Sequence, residues 1–136
     1  MDHVSKEKRS EIMASVHSKD TSPELKVRSI VHRMGYRFRL HRKELPGSPD
    51  LVFAGRRKAI FIHGCFWHRH VGCKYATTPK TRVRFWQNKF DGNVQRDART
   101  RRQLNRLGWR VLTVWQCDLK KPERLVTRLE RFLSDP

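Results

Sequence analysis

Between Ala59 and Cys73 the chain reads A-I-F-I-H-G-C-F-W-H-R-H-V-G-C, and this stretch restricts the fold more than any other. Ala59, Ile60, Phe61 and Ile62 form a continuous apolar run, the pattern of a short strand buried on both faces. Gly64 ends the run. From His63 to Cys73 the chain then carries His63, Cys65, His68, His70 and Cys73, with Phe66 and Trp67 between them. An apolar core gains nothing from so many imidazoles and thiols in one turn-rich loop, whereas a metal centre uses them directly. The fold must deliver the end of a buried strand into a loop rich in ligands.

A chain of 136 residues suits one domain, large enough to hold a core without disulfides. It has no apolar run of about 18 residues to span a membrane, and its charged N-terminus lacks the apolar centre of a signal peptide. Cytoplasmic residence is the expectation. Lysine and arginine total 31 against 13 acidic residues, a net charge of +18. Solubility alone asks for about 2 to 8. Such a charge draws a polyanion through counterion release, so nucleic acid is the expected partner. A ribosomal-type or membrane-surface protein is the bland alternative, but no basic helix carries a continuous apolar face suited to lipid.

Residues 1–20 are polar and basic with a weak stripe of Ile12, Met13 and Val16, which fits a short helix, an arm that orders on DNA, or a frayed terminus. Thr21-Ser22-Pro23-Glu24 predicts a helix start, with Glu24 as the capping-box partner of Thr21 or, alternatively, turned into a site. Val27, Ile30, Val31 and Met34 follow in helical register, and Gly35 stops them. Strands are expected over Tyr36–His41, Asp50–Ala54, Lys58–His63 and Trp109–Trp115. A long helix is expected from about Arg84 to Leu107, with Trp86, Phe90, Val94, Ala98, Leu104 and Leu107 near one face. A last helix spans Glu123 to Leu133 behind Pro122. This order gives an α/β fold, a mixed sheet flanked by helices, in which the strands before and after the long helix run parallel. Cys117, leaving the last strand, then meets Cys65 at one edge of the sheet.

Three cysteines, Cys65, Cys73 and Cys117, cannot all pair within the chain. With one histidine they complete a closed tetrahedral zinc site of the structural kind. The spacing Cys65-x4-His70-x2-Cys73 favours His70 as the fourth ligand, with His68 the rival. Asp50, at the start of an apolar strand after Pro-Gly-Ser-Pro, either caps a turn or holds Mg2+ for phosphodiester cleavage. In the second case a histidine such as His68 deprotonates water. Phe66 and Trp67, on a loop between candidate ligands, suit stacking on bases; for Trp86, core packing competes with that role.

At these residues the chain resembles the very short patch repair (Vsr) DNA mismatch endonucleases. The resemblance covers nearly the whole length. It is carried by K-E-K-R-S-E-I-M-A at 6–14, P-G-S-P-D-L-V-F at 46–53, F-I-H-G-C-F-W-H-R-H at 61–70, F-W-Q-N-K-F-D-G-N-V-Q-R-D at 85–97 and L-G-W-R-V-L-T-V-W-Q-C at 107–117. It implies a restriction-endonuclease-like fold of the PD-(D/E)XK type, with residues 1–20 as an arm that clasps the duplex and 21–136 as one endonuclease domain. It implies Asp50 as the Mg2+ carboxylate, helped by the backbone carbonyl of Ile62, and His68 as general base oriented by Asp97. Glu24 and His63 become supporting active-site groups. Cys65, His70, Cys73 and Cys117 hold structural Zn2+, and Phe66, Trp67 and Trp86 intercalate beside the mismatch. The implied reaction is strand-specific nicking 5′ of the T in T:G mismatches left when 5-methylcytosine deaminates. The implied setting is a bacterial cytoplasm and its nucleoid, with mismatch-repair proteins as further partners. A monomer suits an asymmetric lesion. Ile62 stands where many relatives carry Thr, Val71-Gly72 lengthens the approach to Cys73 relative to some relatives, and Phe61-Ile62-His63 occupies the strand position of the usual (D/E)-x-K. Two other functions fit the same residues: a zinc-stabilised DNA-binding protein without catalysis, and a related endonuclease for another DNA structure.

Overall fold

The structure, a computed structural model, describes residues 5–7 and 22–135. The expected N-terminal arm therefore lies almost wholly outside the described residues. Helix α1 (Pro23–Arg33) starts at Ser22, whose Oγ accepts the N–H of Leu25 at 3.4 Å, with Pro23 in the first turn. This corrects the capping-box reading of Glu24. With Ser22 as the cap, Glu24 falls one position short of the reciprocal contact, and its carboxylate goes to Arg28 and His41 instead. Gly35, at φ +95°, ends the segment in the left-handed region.

Three strands follow: β1 (Arg39–Leu40), β2 (Leu51–Phe53) and β3 (Lys58–His63). The expected six-residue strand from Tyr36 shrinks to two exposed residues, because only Arg39 and Leu40 find ladder partners, in Val52 and Leu51. Helix α2 (Val83–Arg106) then crosses to β4 (Arg110–Trp115), and α3 (Pro122–Ser134) closes the chain. The sheet order is β1-β2-β3-β4, antiparallel except for the parallel β3–β4 pair, which aligns His63 with Trp115.

Alternation along β3 and β4 divides the molecule. Ile60 and Val114 join Val27, Ile30 and Val31 of α1 and Leu125, Val126, Leu129 and Leu133 of α3 in a dry core, with Ile62 and Leu112 packed against it. Lys58, 1% exposed, points to this same side, where its ammonium donates to the carbonyls of Phe132 and Asp135 at the end of α3. Arg56 adds a bond to the Leu133 carbonyl at 2.9 Å. These cations satisfy carbonyls that the helix end leaves open.

Among the described residues, the helix over the other face is α2. Phe90 and Leu104 are its buried residues, while Val94 and Leu107 remain exposed, so the expected apolar stripe is only partly used. Beneath the helix lies a cavity of about 640 Å³, lined by Phe61, His63, Val111, Thr113 and Trp115 from the strands and by Val94, Asp97, Ala98 and Arg101 from α2. Gly47, at φ +75°, lets the Pro-Gly-Ser-Pro loop pass under α2, where a Cβ would collide with Thr100.

Candidate active site and metal centre

The loop after β3 is a chain of tight turns. The N–H groups of His68, His70 and Cys73 donate to the carbonyls of Gly64, Cys65 and His70 at 3.1, 3.1 and 3.3 Å. Between the two histidines, Arg69 takes φ +52°, a left-handed turn that sends His68 and His70 to different sites. Its guanidinium holds the loop folded. It donates to the carbonyls of Phe66, Thr77 and Ala76 at 3.3, 2.9 and 3.1 Å, and lies 4.1 Å from the centre of the Phe90 ring.

His70 goes to the cysteines. Cys65, His70, Cys73 and Cys117 bring one donor atom each within 4.8 Å of one another. Cys117 Sγ is 3.3 Å from His70 Nδ1, and its N–H donates to Cys65 Sγ at 3.4 Å. Cys65 and Cys117 meet because β3 and β4 run parallel and end side by side. Burial raises the Cys65 thiol, and burial together with Cys65 and Cys73 pushes Cys117 up to about 12. The backbone N–H of Tyr75 lowers Cys73. Three sulfurs this close repel one another as thiolates, and a soft divalent cation removes that conflict. The donor set fits zinc. His70 is fixed by stacking on Trp115, 4.2 Å between ring centres and 8° between planes.

His68 goes the other way. Its Nδ1 lies 2.6 Å from Asp97 Oδ2, so that Nδ1–H donates and Nε2 is left with a free lone pair. His63 stacks on His68, with centres 3.8 Å and planes 7° apart, and its Nδ1 is 4.0 Å from the same carboxylate oxygen. Burial first, then His68, lowers the pKa of His63 to about 4, so this ring is neutral near pH 7. Trp115 touches His63 edge-on at 5.3 Å and so forms the wall between the two histidine groups.

Asp50 stands just before β2 and opens onto the same cavity. Its Oδ2 accepts the N–H of Ile62 at 2.7 Å, past the last ladder partner of β2. Burial raises the carboxyl above its usual range, the Ile62 N–H opposes this, and Glu24 adds to it. Glu24 and Asp50 form a third cluster with His41. Sequence reasoning placed His41 at the end of a strand and gave it no role; the signal available was an imidazole directly before the loop that delivers Asp50.

Phe66, Trp67 and Trp86 come together beside the cavity, with Phe66–Trp67 centres at 5.2 Å and Trp67–Trp86 at 5.7 Å. Phe90 anchors them, 5.1 Å from Phe66. Trp67 is 45% exposed, and Phe85, which sequence reasoning passed over, is 48% exposed beneath the Arg82 guanidinium. The signal for Phe85 was the repeated Phe-Trp pair at 66–67 and 85–86.

A basic mixed α/β domain thus opens Asp50 and a histidine–aspartate pair onto one cavity, with a cysteine–histidine group nearby, an arrangement suited to work on a nucleic-acid backbone. Comparison with known proteins makes this specific. The family model described as DNA mismatch endonuclease Vsr matches residues 1–74. The chain is 50% identical over 133 residues to the type II nicking enzyme V.XorIIP of Xanthomonas oryzae, covering 98% of this chain and 97% of the relative. It is 43% identical over 130 residues to the DNA mismatch endonuclease Vsr of Escherichia coli, covering 92% and 83%. A third relative, the type II nicking enzyme V.NmeAIP of Neisseria meningitidis, is 38% identical over 128 residues, covering 94% and 91%. The chain belongs to the Vsr family of DNA mismatch endonucleases.

Proposed function

We propose that this protein is a Mg2+-dependent endonuclease of restriction-endonuclease-like (PD-(D/E)XK-type) fold that nicks duplex DNA 5′ of the T in a T:G mismatch. The observation that carries this reading is one cavity lined by both Asp50 and the His68–Asp97 pair. Asp50 and the Ile62 carbonyl would hold Mg2+. A strand residue aims its N–H and C=O to the same side, and the Ile62 N–H is on Asp50. The side chain at position 62 is then indifferent, so Ile62 is compatible with a metal held through the backbone. Bound there, Mg2+ supplies Lewis-acid polarisation of the phosphodiester.

His68 does the proton work. Its Nε2 takes a proton from the attacking water while Nδ1–H stays on Asp97, which orients the ring and stabilises the imidazolium as it forms. The water oxygen bonds to phosphorus and the bond to the leaving strand breaks. His63, neutral and stacked on His68, holds that ring flat against the cavity wall. Glu24 supports Asp50.

Cys65, His70, Cys73 and Cys117 would hold Zn2+ with no open position, a structural role that pins the loop bearing His68. Phe66, Trp67 and Trp86 wedge beside the mismatched pair, and the segment 1–20 clasps the duplex. The protein acts as a monomer on the nucleoid of a bacterial cytoplasm, with mismatch-repair proteins as partners. The test is a nicking assay on an end-labelled duplex with one T:G pair, beside matched and branched duplexes, with Mg2+ present or chelated. A Mg2+-dependent nick next to the mismatched T is expected. Asp50→Asn should lower it by about a thousandfold or more while leaving DNA affinity. Binding without cleavage would mark a DNA-binding protein, and cutting confined to branched DNA would mark another substrate.

A further inference from the structure

A second cavity, a groove of about 940 Å³, shares His70 with the catalytic one. Cys73 and Cys117 also line it, so the cysteine–histidine cluster stands between the two. The loop after β3 contributes Lys74 and Tyr75 to the groove, and the segment after β4 contributes Lys120, Lys121, Arg124 and Arg128. Both sides are tied to the cluster by sequence. Lys74 and Tyr75 directly follow Cys73, and Lys120 and Lys121 stand just past Cys117. Tight turns hold them there: the Ala76 N–H donates to the Cys73 carbonyl, and the Lys121 N–H to the Asp118 carbonyl, each at 3.1 Å.

The charge of this groove is one-sided. Asp118 and Glu123 are the acids along it. Asp118 is already spent, since its Oδ2 accepts the Trp115 N–H at 2.8 Å and Arg128 Nη1 at 3.1 Å. Among the described residues no ion pair or hydrogen bond holds the side chains of Lys120, Lys121 or Arg124, and all three are exposed. The Tyr75 ring, 41% exposed, lies between two ammonium groups, with Lys74 Nζ 5.2 Å and Lys120 Nζ 6.0 Å from its centre. Like charges brought together in a concave site repel one another, and an anion laid along the groove relieves them. Duplex DNA carries one charge per about 1.7 Å of its axis, so a short length supplies several phosphates at once. A duplex engaged in the neighbouring cavity also presents its own flank here at high effective concentration, which favours DNA over a separate acidic protein.

We propose that this groove is a second DNA-backbone site, in which Lys120, Lys121 and Arg124 hold phosphates flanking the lesion engaged in the catalytic cavity. It adds affinity and fixes the direction in which the duplex leaves, and takes no part in the chemistry. The inference rests on duplex DNA being the substrate.

The experiment compares the full-length, zinc-loaded wild type with the triple variant Lys120→Gln, Lys121→Gln, Arg124→Gln. Affinity for long T:G and matched T:A duplexes is measured by fluorescence anisotropy without Mg2+ over a range of salt. The duplexes are either unmodified or carry a block of neutral methylphosphonates at successive positions. The variant should bind about tenfold or more weakly, and its salt slope should fall by about 2 to 3. One neutral block outside the lesion should weaken the wild type comparably and cost the variant nothing more. The melting temperature, and the nicking rate of the saturated complex with Mg2+, should stay within about twofold of the wild type. An unchanged salt slope, losses that add at every block, or non-additivity confined to the lesion itself would overturn the inference. The first of these outcomes would leave an acidic protein surface as the better fit to the groove. Preference for T:G over T:A tests the substrate reading separately, because the flanking block can be read on either duplex.

Discussion

Ile60, Ile62, Leu112 and Val114 pack into the dry core under α1 and α3, while their immediate neighbours Phe61, His63, Val111, Thr113 and Trp115 line the cavity under α2. The same two strands thus carry a closed face and an open one. The closed face is covered by two helices whose residues in the core cluster, from Val27 to Leu133, are aliphatic, with Glu130 buried beside them. Among the described residues, the open face lies under one helix, whose buried residues are Phe90 and Leu104, and the cavity left there is lined by histidine, aspartate and arginine. Period-two alternation lets a six-residue strand supply the core with one set of side chains and the chemistry with the other. Stability and activity should then separate by face.

The largest effect that tests the separation is on the open side. His68→Ala removes the proton acceptor and should slow nicking by about a hundred- to ten-thousandfold, with an unchanged melting temperature. A matching loss of stability would mean that the open face also holds the fold. Next comes the closed side. Leu129, fully buried, changed to Ala should cost about 2–5 kcal/mol in a denaturant titration, while kcat of the remaining folded enzyme stays at the wild-type value. A fall in kcat would show that the core transmits strain to the cavity. The smallest effect belongs to the rim. Trp67→Ala should weaken affinity for mismatched duplex by about 1–3 kcal/mol, measured by fluorescence anisotropy, with neither stability nor the cysteine–histidine cluster disturbed.

The closed face was readable from sequence because its signals are periodic. Val27, Ile30 and Val31 on α1, the Ala59–Ile62 run, and Leu125, Val126 and Leu129 on α3 repeat at the spacing of their elements. The meeting of Cys65 with Cys117 followed from topology alone, since parallel strands joined by a helix end on the same edge. The open face was less legible. Spacing to Cys73 favoured His70 over His68 as the partner of the cysteines, but what separates the two is the left-handed turn at Arg69, and Arg69 looks like any of the chain's many cations until its carbonyl partners are seen. Glu24 looked like a cap because a shift of the N-cap by one residue is below what sequence resolves. His41 was invisible for a related reason. Its place beside Glu24 and Asp50 depends on a two-residue strand and a left-handed turn, neither of which leaves a periodic trace. Lys58, where the third strand was expected to begin, is buried because the carbonyls at the end of α3 come to it from 74 and 77 residues away.

The contact between Cys117 and Cys65 spans 52 residues of chain, and it dictates an order of assembly. Helix α2, which lies wholly within that span, needs only local contacts to begin, whereas the two sulfurs meet only after β3 and β4 have paired. An ion gripping both ends acts as a clasp on a finished loop and not as a seed for it. Capture of an ion by these four side chains would therefore be a late folding event. It should leave the refolding rate nearly unchanged and act mainly by slowing the unfolding rate.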